Sequence, residues 1–270
     1  MKNIFSGKNI VDNNFYNREA LYWWDSNSPL AIIRYMMNPI RFAYVIKHLV
    51  ARSYDYRNKK VLDIGCGGGF LTEEIGKFGF ETTGVDISSP SLQVARRHAE
   101  ALNLNIAYHE GMGENLSYAD DHFEMVFCLD VLEHVEDFSI VVSEVSRVLK
   151  PGGLFFFETI NRTLLSYLII IFFMQDFCVT RVLPPRVHNW RYFIKPKELR
   201  RALENNGLTT EDMQGIVPGY SFAYNLPLLK KKIENKISFH ELCSYFRCHE
   251  SSYKSLCYIG YARKPLLGET

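Results

Sequence analysis

Val61-Leu62-Asp63-Ile64-Gly65-Cys66-Gly67-Gly68-Gly69 decides how the rest of the chain is read. A short apolar run, broken by one carboxylate, ends in a cluster of glycines. This pattern predicts a buried strand that runs into a glycine turn. Glycines there let the backbone approach a ligand closely and adopt positive φ. A dinucleotide site wants G-x-G-x-x-G, but the spacing here is Gly65-x-Gly67-x-Gly69, with Phe70 three positions after Gly67. That spacing tells against a nicotinamide-linked oxidoreductase. Asp63 is unwelcome beside a pyrophosphate, yet it suits an ammonium group or the loop amides.

Outward from this loop, strands and helices alternate. A helix is expected over 70–78 and a strand over 80–86. Ser88 is placed to cap a helix over 90–102. Strands follow at 105–109 and 125–128, then a helix at 139–149. Pro151-Gly152-Gly153 is read as the break between that helix and a strand at 154–158. The alternation predicts an α/β fold, Rossmann-like, with a mostly parallel sheet and helices on both faces. Rhythm is lost over 162–193 and resumes with a helix at 196–205, a strand near 208–213 and a last strand at 256–262. The expected layout is an N-terminal helical cap (1–59), a ligand-binding core (60–161), an apolar insertion after the fifth strand (162–193) and a C-terminal part completing the sheet (194–270).

Composition sets bounds on function. The 270 residues hold 31 Lys and Arg against 30 Asp and Glu, so a dedicated nucleic-acid binder is not expected. Cys66, Cys128, Cys178, Cys243, Cys248 and Cys257 form no C-x-x-C pair, and reduced thiols in a cytoplasmic protein are the expectation. Residues 1–10 carry no secretory signal pattern. Leu164-Leu165-Ser166-Tyr167-Leu168-Ile169-Ile170-Ile171-Phe172-Phe173-Met174 is too short to cross a bilayer. It suits either a core helix or a membrane surface, where Arg162, Arg181, Arg186 and Arg191 would add attraction to anionic lipid.

Asp86 ends the second strand, where an ionised carboxylate can accept from both hydroxyls of a ribose. With Asp63 and the loop, it points to a nucleoside bearing a positive amino-acid end and no phosphate. S-adenosylmethionine fits that description.

These residues also carry a resemblance. The glycine loop, Gly84-Val85-Asp86 and Pro151-Gly152-Gly153 resemble the class I S-adenosylmethionine-dependent methyltransferases. Trp23-Trp24-Asp25, Asn38-Pro39-Ile40-Arg41, Leu132-Glu133-His134-Val135, Asn161-Arg162, His188-Asn189-Trp190 and Phe193-Ile194-Lys195-Pro196 follow in order. Together they resemble the ubiquinone-biosynthesis O-methyltransferases, whose members methylate polyprenyl catechols and 3-demethylubiquinol. Residues 215–250 carry no motif of that series. The resemblance implies that Arg41, Gly65, Asp86 and Leu129 line the cofactor site, alongside Asp63 and Gly67. It also implies a polyprenyl phenol or quinol as acceptor, contact with an anionic membrane and other quinone-biosynthesis proteins as partners. The place would be the inner membrane, on its cytoplasmic side or, in a eukaryote, on the matrix side in mitochondria.

For catalysis three readings stay open. If the chain turns helically after Leu129, Asp130, Glu133 and His134 share a face and can hold a divalent ion such as Mg²⁺. Alternatively His134 is itself the base, or Glu133 and His134 only shape the loop. His188 is a further acceptor-site candidate. His240-x-x-Cys243 with Cys248-His249 hints at a second metal site. The activity expected is an O-methyltransferase. A methyltransferase for another phenolic or carbon acceptor, and a silent subunit of a quinone-synthesis complex, are the alternatives.

Overall fold

A computed structural model describes residues 11–52, 55, 57–177, 181–219, 222–266 and 268–269, with side chains 222–226 left aside. Residues 1–10 and Cys178, read above from sequence, lie outside the described residues. In chain order the helices are α1 (Asn14–Arg18), α2 (Asn38–Ala51), α3 (Phe70–Phe78), α4 (Ser89–Ala101), α5 (Phe138–Val148), α6 (Leu164–Ser166), α7 (Pro196–Asn205), α8 (Phe222–Ile233) and α9 (Phe239–Tyr245). The strands are β1 (Lys60–Ile64), β2 (Glu81–Asp86), β3 (Ile106–Glu110), β4 (Phe123–Leu129), β5 (Leu149–Ile160), β6 (Thr209–Pro218), β7 (Cys248–Ser251) and β8 (Cys257–Arg263). One sheet holds all eight in the order β3-β2-β1-β4-β5-β8-β6-β7.

The strands from β3 to β5 pair in parallel. The last three pair antiparallel. A parallel sheet is covered on both faces, so its central strands are apolar throughout. β5 is the clearest case: Leu154 to Phe157 are all buried. Phe155 and Phe157 pack with α5 and α7, while Leu154 and Phe156 pack with α2 and α3. Each such phenylalanine contributes about 1.5–3 kcal/mol through burial.

One local expectation is corrected. Pro151-Gly152-Gly153 does not separate helix from strand, because β5 already starts at Leu149. The three residues form an irregularity inside the strand, where Gly152 takes φ 79° and donates to Lys264 O at 2.8 Å. Residues 215–250, which carried no motif, add the end of β6, then α8, α9 and the edge strand β7.

The apolar segment becomes α6 and then a π-helix, Tyr167–Asp176. Ile170, Ile171 and Gln175 turn inward, while Leu164, Leu165, Leu168 and Phe172 are exposed. One side of the segment thus packs in the core with Ile160 and Phe193, and the other is exposed. Arg162 binds Glu198, which removes it from the arginines left to face lipid. Among the described residues no helix is long and apolar enough to cross a membrane.

Candidate active site

The loop after β1 is built around its glycines. Gly65, Gly67 and Gly69 adopt φ of 71°, 51° and 87°. A Cβ on Gly65 would lie 2.2 Å from Val131, and one on Gly67 2.5 Å from Trp23. Trp23 thus closes over the loop, and its Nε1 donates to Ser91 Oγ at 2.8 Å. Trp24 donates to Gly68 O, stacks on His98 and receives the Arg34 guanidinium on its ring. The W-W-D motif is a lid pinned to the glycine turn.

Arg41, Asp63, Gly65, Gly67, Asp86 and Leu129 all line one cavity of about 400 Å³. Asp63 accepts from Thr72 Oγ1 at 2.6 Å, and burial pushes its carboxyl up to about 7. Asp86 sits at the strand end and accepts from Gly67 N at 2.8 Å and Ser88 N at 2.7 Å. Burial raises its pKa against these amides. Each of its oxygens keeps a further lone pair for a ligand hydroxyl.

Arg41 is already neutralised. From α2 it donates to both Asp130 and Glu158. Burial would raise the Asp130 pKa, but the guanidinium outweighs it and holds the carboxylate below its usual range. Glu158 had no sequence signal beyond a lone acid closing an apolar strand. Asn13 and Asn38, also cavity-lining, were missed as well. Asn13 Oδ1, Asn38 Oδ1 and Arg41 Nε are buried without a hydrogen-bond partner. Two acceptors and a donor left open suit the ammonium and carboxylate of an amino-acid end. The residues present fit S-adenosylmethionine.

The expected ion site is corrected. A helical turn would have aligned Asp130 with Glu133, but Asp130 takes φ 56° and only Leu132–His134 form a 3₁₀ turn. The left-handed residue breaks the shared face. Asp130 turns to Arg41, and Glu133 turns inward to accept from Thr159 Oγ1 at 2.8 Å. Burial, with Asp130 nearby, raises Glu133 to about 8. Among the described residues no group of three or more His, Cys, Asp or Glu is placed to hold a metal. These residues do not fit Mg²⁺, and neither do His240, Cys243, Cys248 and His249 form the second cluster.

His134 remains at the cavity wall. Its ring meets Tyr16 edge-on at 5.9 Å and lies 5.2 Å from His188. Both histidines have an Nδ1 that is buried and unpartnered. Burial pushes His134 down to about 4, and burial with His134 nearby pushes His188 down to about 3. Both are neutral imidazoles at neutral pH.

Residues 62–157 match the family described as "Methyltransferase domain". A solved structure from Thermotoga maritima, titled as an S-adenosylmethionine-dependent methyltransferase and possible histamine N-methyltransferase, superposes with a TM-score of 0.59. It is 16% identical and covers 93% of this chain and 97% of its own. The [4+2]-cyclase SpnF superposes at 0.54 with 17% identity, covering 83% of this chain and 80% of its own. These two likenesses establish the fold alone. Sequence relatives go further. The ubiquinone biosynthesis O-methyltransferase of Alkalilimnicola ehrlichii is 34% identical over 231 residues, 85% of this chain and 88% of that protein. Its namesake in Pasteurella multocida is 36% identical over 210 residues, 74% and 84% respectively. With that identity spread over most of both chains, and the glycine loop and Asp86 on one cavity, the chain belongs to the ubiquinone biosynthesis O-methyltransferase family.

Proposed function

We propose that the protein methylates a phenolic hydroxyl of a polyprenyl catechol in ubiquinone biosynthesis, with His134 as the base. S-adenosylmethionine, when bound, supplies an electrophilic methyl group on a sulfonium. The chain's residues do the rest. Asp86 and the loop amides hold the nucleoside, and Asn13, Asn38 and Arg41 face the amino-acid end. His134 accepts the hydroxyl proton as the oxygen attacks the methyl, so the neutral imidazole becomes imidazolium while the C–S bond breaks. Glu133 is a positioning residue: it lies behind His134 in the same turn and ties that turn to Thr159 of β5.

The observation that carries this reading is His134 itself, neutral and unpartnered at the wall of the cofactor cavity. We expect His134→Gln to lower turnover by about 10²–10⁴ while S-adenosylhomocysteine affinity stays within about twofold. A base must be unprotonated, so wild-type kcat/KM should fall only as the pH drops through about 4. Titration calorimetry and a pH–rate profile check both. Full activity in His134→Gln removes the assignment.

The exposed Leu164, Leu165, Leu168 and Phe172, with exposed Arg181, Arg186 and Arg191 on the chain that follows, support docking on an anionic bilayer. The protein would then sit on the inner membrane, on its cytoplasmic or matrix side, with its acceptor in the lipid below.

A further inference from the structure

A second cavity, of about 530 Å³, adjoins the first. Tyr16, Asp130 and His134 line both, so they mark the junction. His188 stands beside His134 on the second side. Away from this end the wall changes character. It is made of aliphatic, sulfur-bearing and aromatic side chains, with no lysine, arginine or glutamate. A ligand there is polar at one end only, uncharged along its length and flexible.

The wall's origin is informative. A short π-helix before α2, Ile33–Met37, gives Met36 and Met37, and the inner face of the π-helix Tyr167–Asp176 gives Ile170 and Met174. The stretch without a motif gives Leu242 and Cys248, from α9 and β7. Sulfur side chains are soft and adapt to irregular shapes, which suits a branched hydrocarbon.

We propose that this cavity is an internal chamber for the isoprenoid tail of the acceptor, and that α8, α9 and β7 serve to wall it. This rests on the methyltransferase reading above and names where that acceptor's tail lies. With the head group at His134, the tail runs away from the cofactor cavity between the π-helix and α9. At the packing density of a protein interior the volume takes roughly four to five isoprene units. Longer tails would project beyond the chamber.

The test uses the full-length protein and catechols carrying one to eight isoprene units in nonionic detergent. The expected result is a kcat/KM that climbs with each unit to four or five and then stays flat. Leu242→Trp, on α9, narrows the chamber beside Ala31, Val182 and Leu229 and touches no reacting group. It should bring the plateau two units earlier and raise KM for the longest tail on the order of tenfold. The one-unit acceptor and S-adenosylhomocysteine affinity should be unaffected. No dependence on tail length in the wild type, or an equal loss at every length in the variant, overturns the chamber. A second arm needs neither turnover nor the variant. Photoreactive geranylgeraniol, which has no catechol, should label residues 239–257 and be displaced by unlabelled geranylgeraniol. Labelling confined to other residues also overturns the proposal. A wild type that labels here but methylates no catechol counts against the methyltransferase reading and not against the chamber.

Discussion

His188 shows how a single half-buried ring sets a pH dependence. Its folded pKa of about 3 lies below the unfolded value near 6.5, so unfolding takes up a proton between those limits. The group's contribution to stability is present above that window and is lost as the pH falls through it. We expect the wild type to lose up to about 1.4 kcal/mol per pH unit relative to His188→Gln between pH 6 and 4. Urea unfolding of both proteins at several pH values measures this difference, and a constant offset would contradict it. The neighbouring positions show what sequence could say. Asp63, Gly65, Gly67 and Asp86 were legible because they sit at fixed offsets from a strand end. Glu158 was not, because its partner Arg41 is 117 residues away and reaches it only through the fold. Asp130 was misread because its backbone turns left-handed, a conformation that costs a non-glycine residue about 1–2 kcal/mol and leaves no mark on the spacing.

At the scale of elements, the glycine turn and the N-terminal lid are one unit. Gly67→Ala meets two penalties, a positive φ and the Trp23 ring. Trp23→Leu shortens the side chain and removes the second. We expect the cost of Gly67→Ala to be lower by about 1–3 kcal/mol in the Trp23→Leu background. Gly207 has φ 74° with nothing near its would-be Cβ. It is the control, since Gly207→Ala should show the conformational cost alone and no coupling to Trp23. Thermal unfolding of the four-member cycle decides it. The parallel core was readable because each of its elements announces itself by period and by turn residues. α8, α9 and β7 were not, because their buried residues, such as Leu229, Phe239 and Leu242, pack with Ala31 and Val182 from distant parts of the chain.

Across the whole molecule, the exposed side of the apolar segment is the feature with an outward reach. Sequence alone left Ile170 and Phe172 equivalent, but Ile170 is buried and Phe172 is 40% exposed. Leu168→Glu/Phe172→Glu is therefore the informative variant. We expect the wild type to co-sediment with anionic vesicles at low salt, and the double variant to remain in the supernatant with unchanged S-adenosylhomocysteine affinity. Equal sedimentation of the two would place the contact elsewhere. One further consequence follows from the N-terminal lid. Tyr16 and Ile33 border both cavities, and Trp23 between them closes the glycine loop. The nucleoside site and the acceptor site thus share a wall, and a change that loosens that wall is felt on both sides of the reacting atoms at once.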